Sequence, residues 1–382
     1  MSAKSIAIIS SEYFPLKAAG ASRMVPLAEE LLNAGQEVKV YSSRSVGKNN
    51  PLVVRSLFPT PKNSSKLWFR FLQEVLLGTD LGIRLCFRRN KIDLCIITSP
   101  PFFMACICAV FARCLQLPYL FDVRDRYPDV LLDLKVLNSN QLIFRFLKFL
   151  EFSVYKHASR VTLVTKARLR ELSNTYKKPN LVLLENGFDE AIFTEKRLKN
   201  SKLESFTVVY HGRLGRFYDP NLYLEIMKKV YSLDPSIQFV LVGEFQNSLD
   251  LERIENLRIS PPMCLEELSE FLPKCHVGLC VLRELEAMKK VFPAKAYDYI
   301  GAGLPILAGP DGEMCETVRS LHLGVTFDQT NPEMIAKKIV ELKTDNLLWT
   351  KLSLAVKSNR SQFGRRKILK DFLKKEHHLL GN

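Results

Sequence analysis

The sequence predicts an α/β protein built from two Rossmann-like, doubly wound domains facing a central cleft, and three observations carry that prediction. The chain has 382 residues of which 47% are hydrophobic, too long for one small core and suited to two domains of about 180 residues each. Short runs rich in β-branched residues alternate with stretches of helical periodicity, the pattern of a parallel sheet covered on both faces. That rhythm breaks once, in the polar and basic stretch Phe193–Ser205, and then restarts. The predicted organisation is residues 1–195, residues 196–360, and a tail helix over 361–382 packing back toward the first domain.

The elements follow in order. Lys4–Ser10 reads as a strand, Ala21–Asn33 as a helix with Met24, Leu27, Ala28, Leu31 and Leu32 on one face before Gly35, and Glu37–Tyr41 as the next strand. Further strands are expected at Ile92–Thr98, Pro118–Val123, Val161–Val164 and Leu181–Leu184. In the second half they are expected at Phe206–Tyr210, Ile237–Val242, His276–Leu282, Leu304–Ala308 and Gly324–Phe327. Open sheets of this kind bind ligands beyond the carboxyl ends of their strands, so the cleft between the domains is the expected site.

Composition narrows the class. With 55 basic against 40 acidic side chains the net charge is +15, which attracts polyanions: nucleic acid, anionic lipid or diphosphates. No aromatic-basic single-strand motif or recognition-helix signature supports nucleic acid as a partner. The nine cysteines lie in apolar contexts without a Cys-x-x-Cys pair, as expected for reduced thiols in a cytoplasmic protein and not for a zinc site. Met1-Ser-Ala-Lys runs straight into a strand, so no secretory leader is expected. Leu94–Phe111 is interrupted by Ser99-Pro100-Pro101 and suits a strand, turn and helix better than a membrane span.

The most informative stretch is Phe292-Pro-Ala-Lys-Ala-Tyr-Asp-Tyr-Ile-Gly-Ala-Gly-Leu-Pro-Ile306. Pro293 can open a helix whose free N–H groups favour phosphate, and Lys295 adds a cation in its first turn. Asp298 lies three positions on, on the same face, so that a cation toward a diphosphate and a carboxylate toward ribose hydroxyls are both in place. The alternative is an ordinary helix-to-strand joint. In the turn Tyr210-His-Gly-Arg-Leu-Gly-Arg216, Gly212 exposes backbone donors while Arg213 and Arg216 suit a diphosphate clamp. Gly20, in the loop Ser11–Arg23 after the first strand, permits close approach of a substrate. Asp122, Arg124, Asp125 and Arg126 sit just beyond an apolar strand; they either face a ligand, one carboxylate orienting an acceptor hydroxyl and an arginine holding negative charge, or form a structural ion-pair cluster. Lys66–Leu77 mixes aromatics and bases at helical spacing, which suits either a core-packed helix with basic ends or contact with an anionic bilayer. The tail bases Arg365 to Lys375 are expected on a solvated face, with Ile368, Leu369 and Phe372 turned inward.

Taken together, the Ser11–Arg23 loop, Ser99-Pro-Pro101, Asp122-Val-Arg-Asp125 with Pro128, Asn186-Gly187 with Asp189, Gly212-Arg-Leu-Gly215 and the Pro293–Pro305 block stand in the order seen in the retaining GT-B glycosyltransferases of family 4 (group 1), and the chain resembles that family over nearly its whole length. The resemblance implies a nucleotide-sugar donor held by Arg213, Arg216 and Lys295, with Asp298 where the family carries a ribose-binding glutamate. It implies an acceptor, a saccharide or lipid-linked saccharide, held by Gly20 and the Asp122–Asp125 segment. Similar members build bacterial surface polysaccharides, such as O-antigen or capsule, at the inner face of the cytoplasmic membrane, which implies a cytoplasmic, peripherally attached hexosyltransferase. No metal or other cofactor is required by the implied site. Two departures stand out. The family's pair of acids seven residues apart would need an acid at Lys290, with Glu284 and Glu286 only nearby, and Tyr218 stands where a lysine often follows the Gly-Arg turn.

Two rival readings remain. A sugar-nucleotide epimerase on the same fold needs a carboxylate and a histidine converging on the sugar ring, and His211 is the only histidine near the expected cleft. A non-enzymatic basic binder of membrane or nucleic acid is motivated by the net charge alone.

Overall fold

The computed structural model describes residues 3–15, 19–46, 50–61, 66–125, 127–133, 136–177, 180–215, 217–245 and 254–380. The chain divides into two compact units, Met1–Glu185 with Leu369–Asn382, and Asn186–Ile368.

The first unit holds a seven-stranded parallel sheet: β1 (Ser5–Ile9), β2 (Glu37–Ser42), β3 (Val53–Arg55), β4 (Leu94–Ser99), β5 (Tyr119–Val123), β6 (Arg160–Leu163) and β7 (Leu181–Leu183). Their order is β3-β2-β1-β4-β5-β6-β7, the doubly wound arrangement in which the chain reverses direction at β1 and β4. The central strands β4 and β5 are buried along their whole length, which explains their continuous apolar sequence. The helices are α1 (Ala19–Asn33), α2 (Leu67–Cys86), α3 (Phe102–Cys114), α4 (Val130–Asp133), α5 (Leu142–His157) and α6 (Lys166–Tyr176). Helices α2 and α3 pack closely because α2 presents two glycines one turn apart. A Cβ on Gly78 would stand 2.9 Å from the Met104 Cα, and one on Gly82 would overlap the Phe111 ring.

The second unit holds β8 (Thr207–His211), β9 (Gln238–Val242), β10 (Leu257–Ser260), β11 (Val277–Val281), β12 (Ile306–Gly309) and β13 (Gly324–Thr326), parallel and ordered β10-β9-β8-β11-β12-β13. Helices α7 (Pro220–Leu233), α8 (Leu265–Phe271), α9 (Ala294–Gly301), α10 (Glu313–Ser320), α11 (Pro332–Thr344) and α12 (Asn346–Asn359) cover it. The tail helices α13 (Arg365–Lys375) and α14 (His377–Leu380) follow.

Two edge strands, β3 and β10, were not among the predicted elements. The first has only three residues, and the second has only four, of which Arg258 and Ile259 are exposed, so neither carries a strong apolar signal. The division between units falls at Glu185, before the expected linker. Phe188, ahead of that polar stretch, and Phe193, its first residue, are buried in the core of the second unit, and the Phe188 N–H donates to the Phe363 carbonyl at 3.0 Å. The tail from Leu369 onward belongs to the first unit: Leu369 and Phe372 are buried, and Glu376 accepts a hydrogen bond from Arg160 at 2.7 Å.

Candidate active site

In the second unit β8 is buried throughout and ends at His211, after which Gly212 takes φ +91°. A side chain there would be strained, so the glycine sets the turn that lifts the chain off the strand end. Helix α9 starts immediately after Pro293, which stands just outside it with φ −66° and ψ 148°, one position earlier than a proline inside the first turn. Lys295 therefore lies in the first turn and Asp298 one turn on.

Lys295 is buried, and its Nζ lies 3.6 Å from the centre of the Tyr210 ring and 3.7 Å from that of Tyr218. It has no hydrogen-bond partner among the described residues. The Tyr210 hydroxyl donates to the Arg213 carbonyl at 2.8 Å, so the aromatic side of this cage is tied to the Gly212 turn. Two ring faces attract an ammonium but give its N–H bonds no acceptor. Burial pulls the Lys295 pKa down to about 7, against the opposing pull of Cys280 and Asp298.

Asp298 approaches His211, with Oδ2 3.5 Å from Nε2. Burial raises the Asp298 pKa to about 7, opposed by Arg365 and Lys295 and reinforced by Asp189. Burial and the Lys295 charge lower that of His211 to about 3, partly offset by a hydrogen bond to the Lys295 backbone. Both groups are thus driven toward their neutral forms, and the contact is not an ion pair. Arg365 closes this side, donating from Nε to the Asn186 carbonyl at 3.0 Å and from Nη2 to the Gly187 carbonyl at 2.9 Å.

Arg213 points outward: its side chain is 78% exposed and, among the described residues, pairs with the exposed Glu244 at 3.4 Å. Arg216 lies outside the described residues. The structure does not bring the expected pair of cations together: the Lys295 amine is buried while the Arg213 guanidinium remains in solvent, and only the Arg213 backbone carbonyl is tied to the tyrosine beside Lys295.

In the first unit Asp122 is a structural residue. Its two oxygens accept from Arg23 Nε at 3.1 Å and Thr98 Oγ1 at 3.0 Å, and from Arg23 Nη2 at 2.8 Å and Thr162 Oγ1 at 2.7 Å. Burial would raise its pKa, but the Arg23 charge, with hydrogen bonds from Arg23 and Thr162, outweighs this and lowers it. Arg23 also donates to the Leu184 and Glu185 carbonyls at 2.8 and 3.1 Å. The carboxylate has no oxygen left for an acceptor, so of the two readings of this residue the ion-pair one fits the geometry. Arg124 and Asp125 differ from it. Arg124 donates to the Pro100 carbonyl at 3.1 Å, and Asp125 is exposed. A Cβ on Gly20 would stand 3.4 Å from Arg124 Nη1 and 2.6 Å from Glu12 Oε2, which already accepts from the Gly20 N–H at 2.8 Å. Gly20, Glu12 and Arg124 thus form one cluster, with Asp125 next to it in the chain.

Tyr210, Tyr218, His211 and Glu12 were not among the predicted site residues. The signal for the tyrosines was their position on either side of the Gly-Arg turn. At the position where a lysine often stands, Tyr218 supplies a ring face to Lys295 instead. Of the two acids near Lys290, Glu284 accepts from the Thr330 N–H and hydroxyl at 2.6 and 2.8 Å, and Glu286 pairs with Lys289 at 2.5 Å. Among the described residues no group of three His, Cys, Asp or Glu side chains converges as a metal-holding set.

The order of strands, the glycine turn and the caged lysine can now be set beside known proteins. Residues 192–362 match the family model for glycosyl transferases, group 1. The matched segment contains His211, Gly212, Arg213, Tyr218, Lys295 and Asp298. The chain is 23% identical over 332 residues to the probable glycosyltransferase WbjE of Pseudomonas aeruginosa, covering 81% of this chain and 79% of the relative. Two solved structures share the two-domain fold. HepE from Anabaena, in complex with UDP and glucose, has a TM-score of 0.68 at 12% identity, over 98% of this chain and 100% of that one. WaaG, a glycosyltransferase involved in lipopolysaccharide biosynthesis, has a TM-score of 0.67 at 14% identity, over 99% and 100%. The two Rossmann-like units are those of the GT-B glycosyltransferase fold.

Proposed function

We propose that this chain is a retaining glycosyltransferase of family 4 that moves a hexose from a nucleotide-sugar donor to a saccharide or lipid-linked saccharide in bacterial surface-polysaccharide synthesis. The observation that carries the reading is Lys295: a buried ammonium between two tyrosine rings, beside a glycine turn and in the first turn of α9, with no acceptor for its N–H bonds. A diphosphate supplies those acceptors. The match of residues 192–362 to the group 1 family, the UDP held by HepE and the lipopolysaccharide role of WaaG support the same reading.

In the proposed reaction the bond between the anomeric carbon and the diphosphate oxygen breaks, and negative charge grows on the leaving nucleoside diphosphate. Lys295 and the positive end of the α9 dipole stabilise that charge. Arg213, exposed at the surface, swings onto the outer phosphate. Asp298 takes the ribose hydroxyls. The acceptor hydroxyl, oriented by Asp125 and Arg124 beside Gly20, attacks from the face the leaving group vacates and passes its proton to a phosphate oxygen. None of these steps requires a metal. Work on a lipid-linked acceptor places the protein in the cytoplasm, peripheral on the inner membrane face.

The test is a panel of nucleotide sugars ranked by the rise in melting temperature, since a ligand that binds only the folded state stabilises it, followed by transfer assays on Arg213→Ala, Lys295→Met and Asp298→Asn. Transfer and nucleotide affinity are expected to fall in each, most in Lys295→Met. Wild-type values in all three would reject the site. The approach of His211 to Asp298 at 3.5 Å favours one second reading, the epimerase, because it brings a histidine and a carboxylate together. Incubation with donor alone separates the two: an isomerised donor supports the epimerase, and an unchanged donor that is consumed only with acceptor supports transfer.

A further inference from the structure

The proposed transfer gives Asp298 the ribose hydroxyls and leaves the histidine beside it without a part. His211 ends β8 and is buried, yet its Nε2 has no hydrogen-bond partner among the described residues. Buried polar atoms are normally paired, and one that is not calls for an explanation. The ring does make one bond, to the Lys295 backbone, and with Nε2 unpartnered that bond falls on Nδ1. It favours the protonated ring, as a bond does in which the imidazole is the donor. A neutral imidazole with its proton on Nδ1 carries a lone pair on Nε2. Burial and the Lys295 charge keep the ring neutral, with its pKa lowered to about 3, so His211 presents a permanent acceptor.

That acceptor is aimed. Tyr299 stands edge-on to the imidazole, ring centres 5.2 Å apart and planes at 88°, and its hydroxyl reaches the Val209 and Leu279 carbonyls at 3.2 and 3.3 Å. Room for the tyrosine comes from Gly278 in β11, where a Cβ would stand 2.5 Å from the ring. Segments β8, β11 and α9 thus fix the imidazole between them, and its Nε2 faces Asp298 Oδ2 at 3.5 Å. This is longer than a hydrogen bond from a carboxylic acid, so the two groups do not satisfy one another. The Asp298 side chain keeps 16% exposure against 8% for His211, which leaves the pair open from the Asp298 side. Two acceptors so placed are both satisfied by hydroxyls on neighbouring carbons of one ring, each donating to one of them. Ribose carries such a cis-diol and 2′-deoxyribose does not.

We propose that His211 Nε2 and the Asp298 carboxyl form a two-acceptor clamp on the ribose cis-diol of the nucleoside diphosphate, which makes His211 a specificity residue that tells ribonucleotides from deoxyribonucleotides. The inference deepens the reading of a nucleotide-sugar donor and rests on it. One hydroxyl donates to Nε2 and its neighbour to an Asp298 oxygen, and the imidazole takes no covalent part. The test is calorimetric titration of the full chain. The tightest binder among UDP, GDP, ADP and CDP is compared with its 2′-deoxy and 3′-deoxy forms on the wild type, on His211→Phe, which keeps a ring beside Tyr299 and removes the acceptor, and on His211→Gln. The wild type should bind each deoxy form about tenfold more weakly, the effect of a lost hydrogen bond that leaves a buried acceptor unpaired. His211→Phe should weaken the ribonucleotide about tenfold and erase the discrimination against one deoxy form, while Asp298 goes on rejecting the other. His211→Gln, whose amide oxygen can stand near the place of Nε2, should restore part of what is lost. Should His211→Phe fail to fold, the wild type and His211→Gln carry the test: equal binding of the three nucleotides by the wild type overturns the clamp on its own. Discrimination that survives unchanged in the variants overturns it too. So does a dependence on His211 seen with the nucleotide hexose and not with the nucleoside diphosphate, which would put the imidazole on the transferred sugar. A wild type that binds no nucleoside diphosphate would sink the nucleotide-sugar reading and the clamp with it, whereas failure of the clamp alone leaves Lys295 and the transferase standing.

Discussion

Asp122 in the first unit and Lys295 in the second are both buried charges next to sheet ends, and they are treated in opposite ways. Each oxygen of Asp122 accepts two hydrogen bonds, from a guanidinium and a threonine hydroxyl. The Lys295 ammonium meets two tyrosine rings and no acceptor. A buried charge with all its bonds made holds the fold together; a buried charge with none made either gives up its proton or has bonds to offer an anion. Burial alone does not separate a structural charge from a functional one. The count of unmade hydrogen bonds does.

The largest expected effect breaks the first half of that comparison. Asp122→Ala leaves the Arg23 guanidinium buried without its counter-ion and should destabilise the first unit by about 3–5 kcal/mol, measured by urea unfolding. Lys295→Met should do the reverse at pH 6. There the lysine, whose pKa in the folded protein lies near 7 and so below its unfolded value of 10.5, is held charged at a cost that methionine avoids. The variant should be more stable by a few kcal/mol, with ~5 kcal/mol as the ceiling that such a shift sets, and the gain should vanish as pH rises through 7 toward 10.5. A loss of stability in Lys295→Met comparable to that in Asp122→Ala would erase the distinction.

The second expected effect sharpens the other half. If a diphosphate completes Lys295, binding must favour the charged amine. At pH 8, above the folded pKa of about 7, the free protein has lost most of that proton, so binding of nucleoside diphosphate should take one up. Calorimetry in buffers of different ionisation enthalpy should show uptake approaching one proton at pH 8, declining toward pH 6 and absent in Lys295→Met. Affinity should weaken as pH rises above 7. Binding that neither takes up a proton nor depends on Lys295 would place the diphosphate elsewhere.

The two charges also differ in how far the sequence disclosed them. Lys295 and Asp298 were legible because their motif is local: Pro293, the helix spacing and the glycines at 301 and 303 all lie within one turn-helix-turn. The core strands were legible for the same reason, each being a continuous apolar run. Asp122 was not, since Arg23, Thr98 and Thr162 reach it from three other segments of the first unit, and nothing in the Asp122-Val-Arg-Asp125 stretch announces them. The cage around Lys295 was half visible: Tyr210 and Tyr218 stand in the predicted turn, but only packing brings their faces to the amine. The edge strands β3 and β10 escaped because short, half-exposed strands owe their conformation to the neighbour they pair with.

The gentlest substitution tests whether the neighbour of Lys295 is neutral. Asp298 has its pKa raised to about 7 by burial, above the 3.8 of an unfolded aspartate, so the folded protein holds a proton there that the unfolded chain releases. Stability from that proton is complete below pH 4 and is lost as pH climbs through 7. Asparagine resembles the protonated carboxyl in shape and carries no charge at any pH. Asp298→Asn should therefore lie within about 1 kcal/mol of the wild type at pH 4, then gain on it steadily up to pH 7 and run parallel above. Chemical denaturation across that range measures the difference directly. A constant offset between the two proteins would mean that Asp298 is ionised throughout, as a surface aspartate would be, and that its 3.5 Å approach to His211 has the character of an ion pair after all.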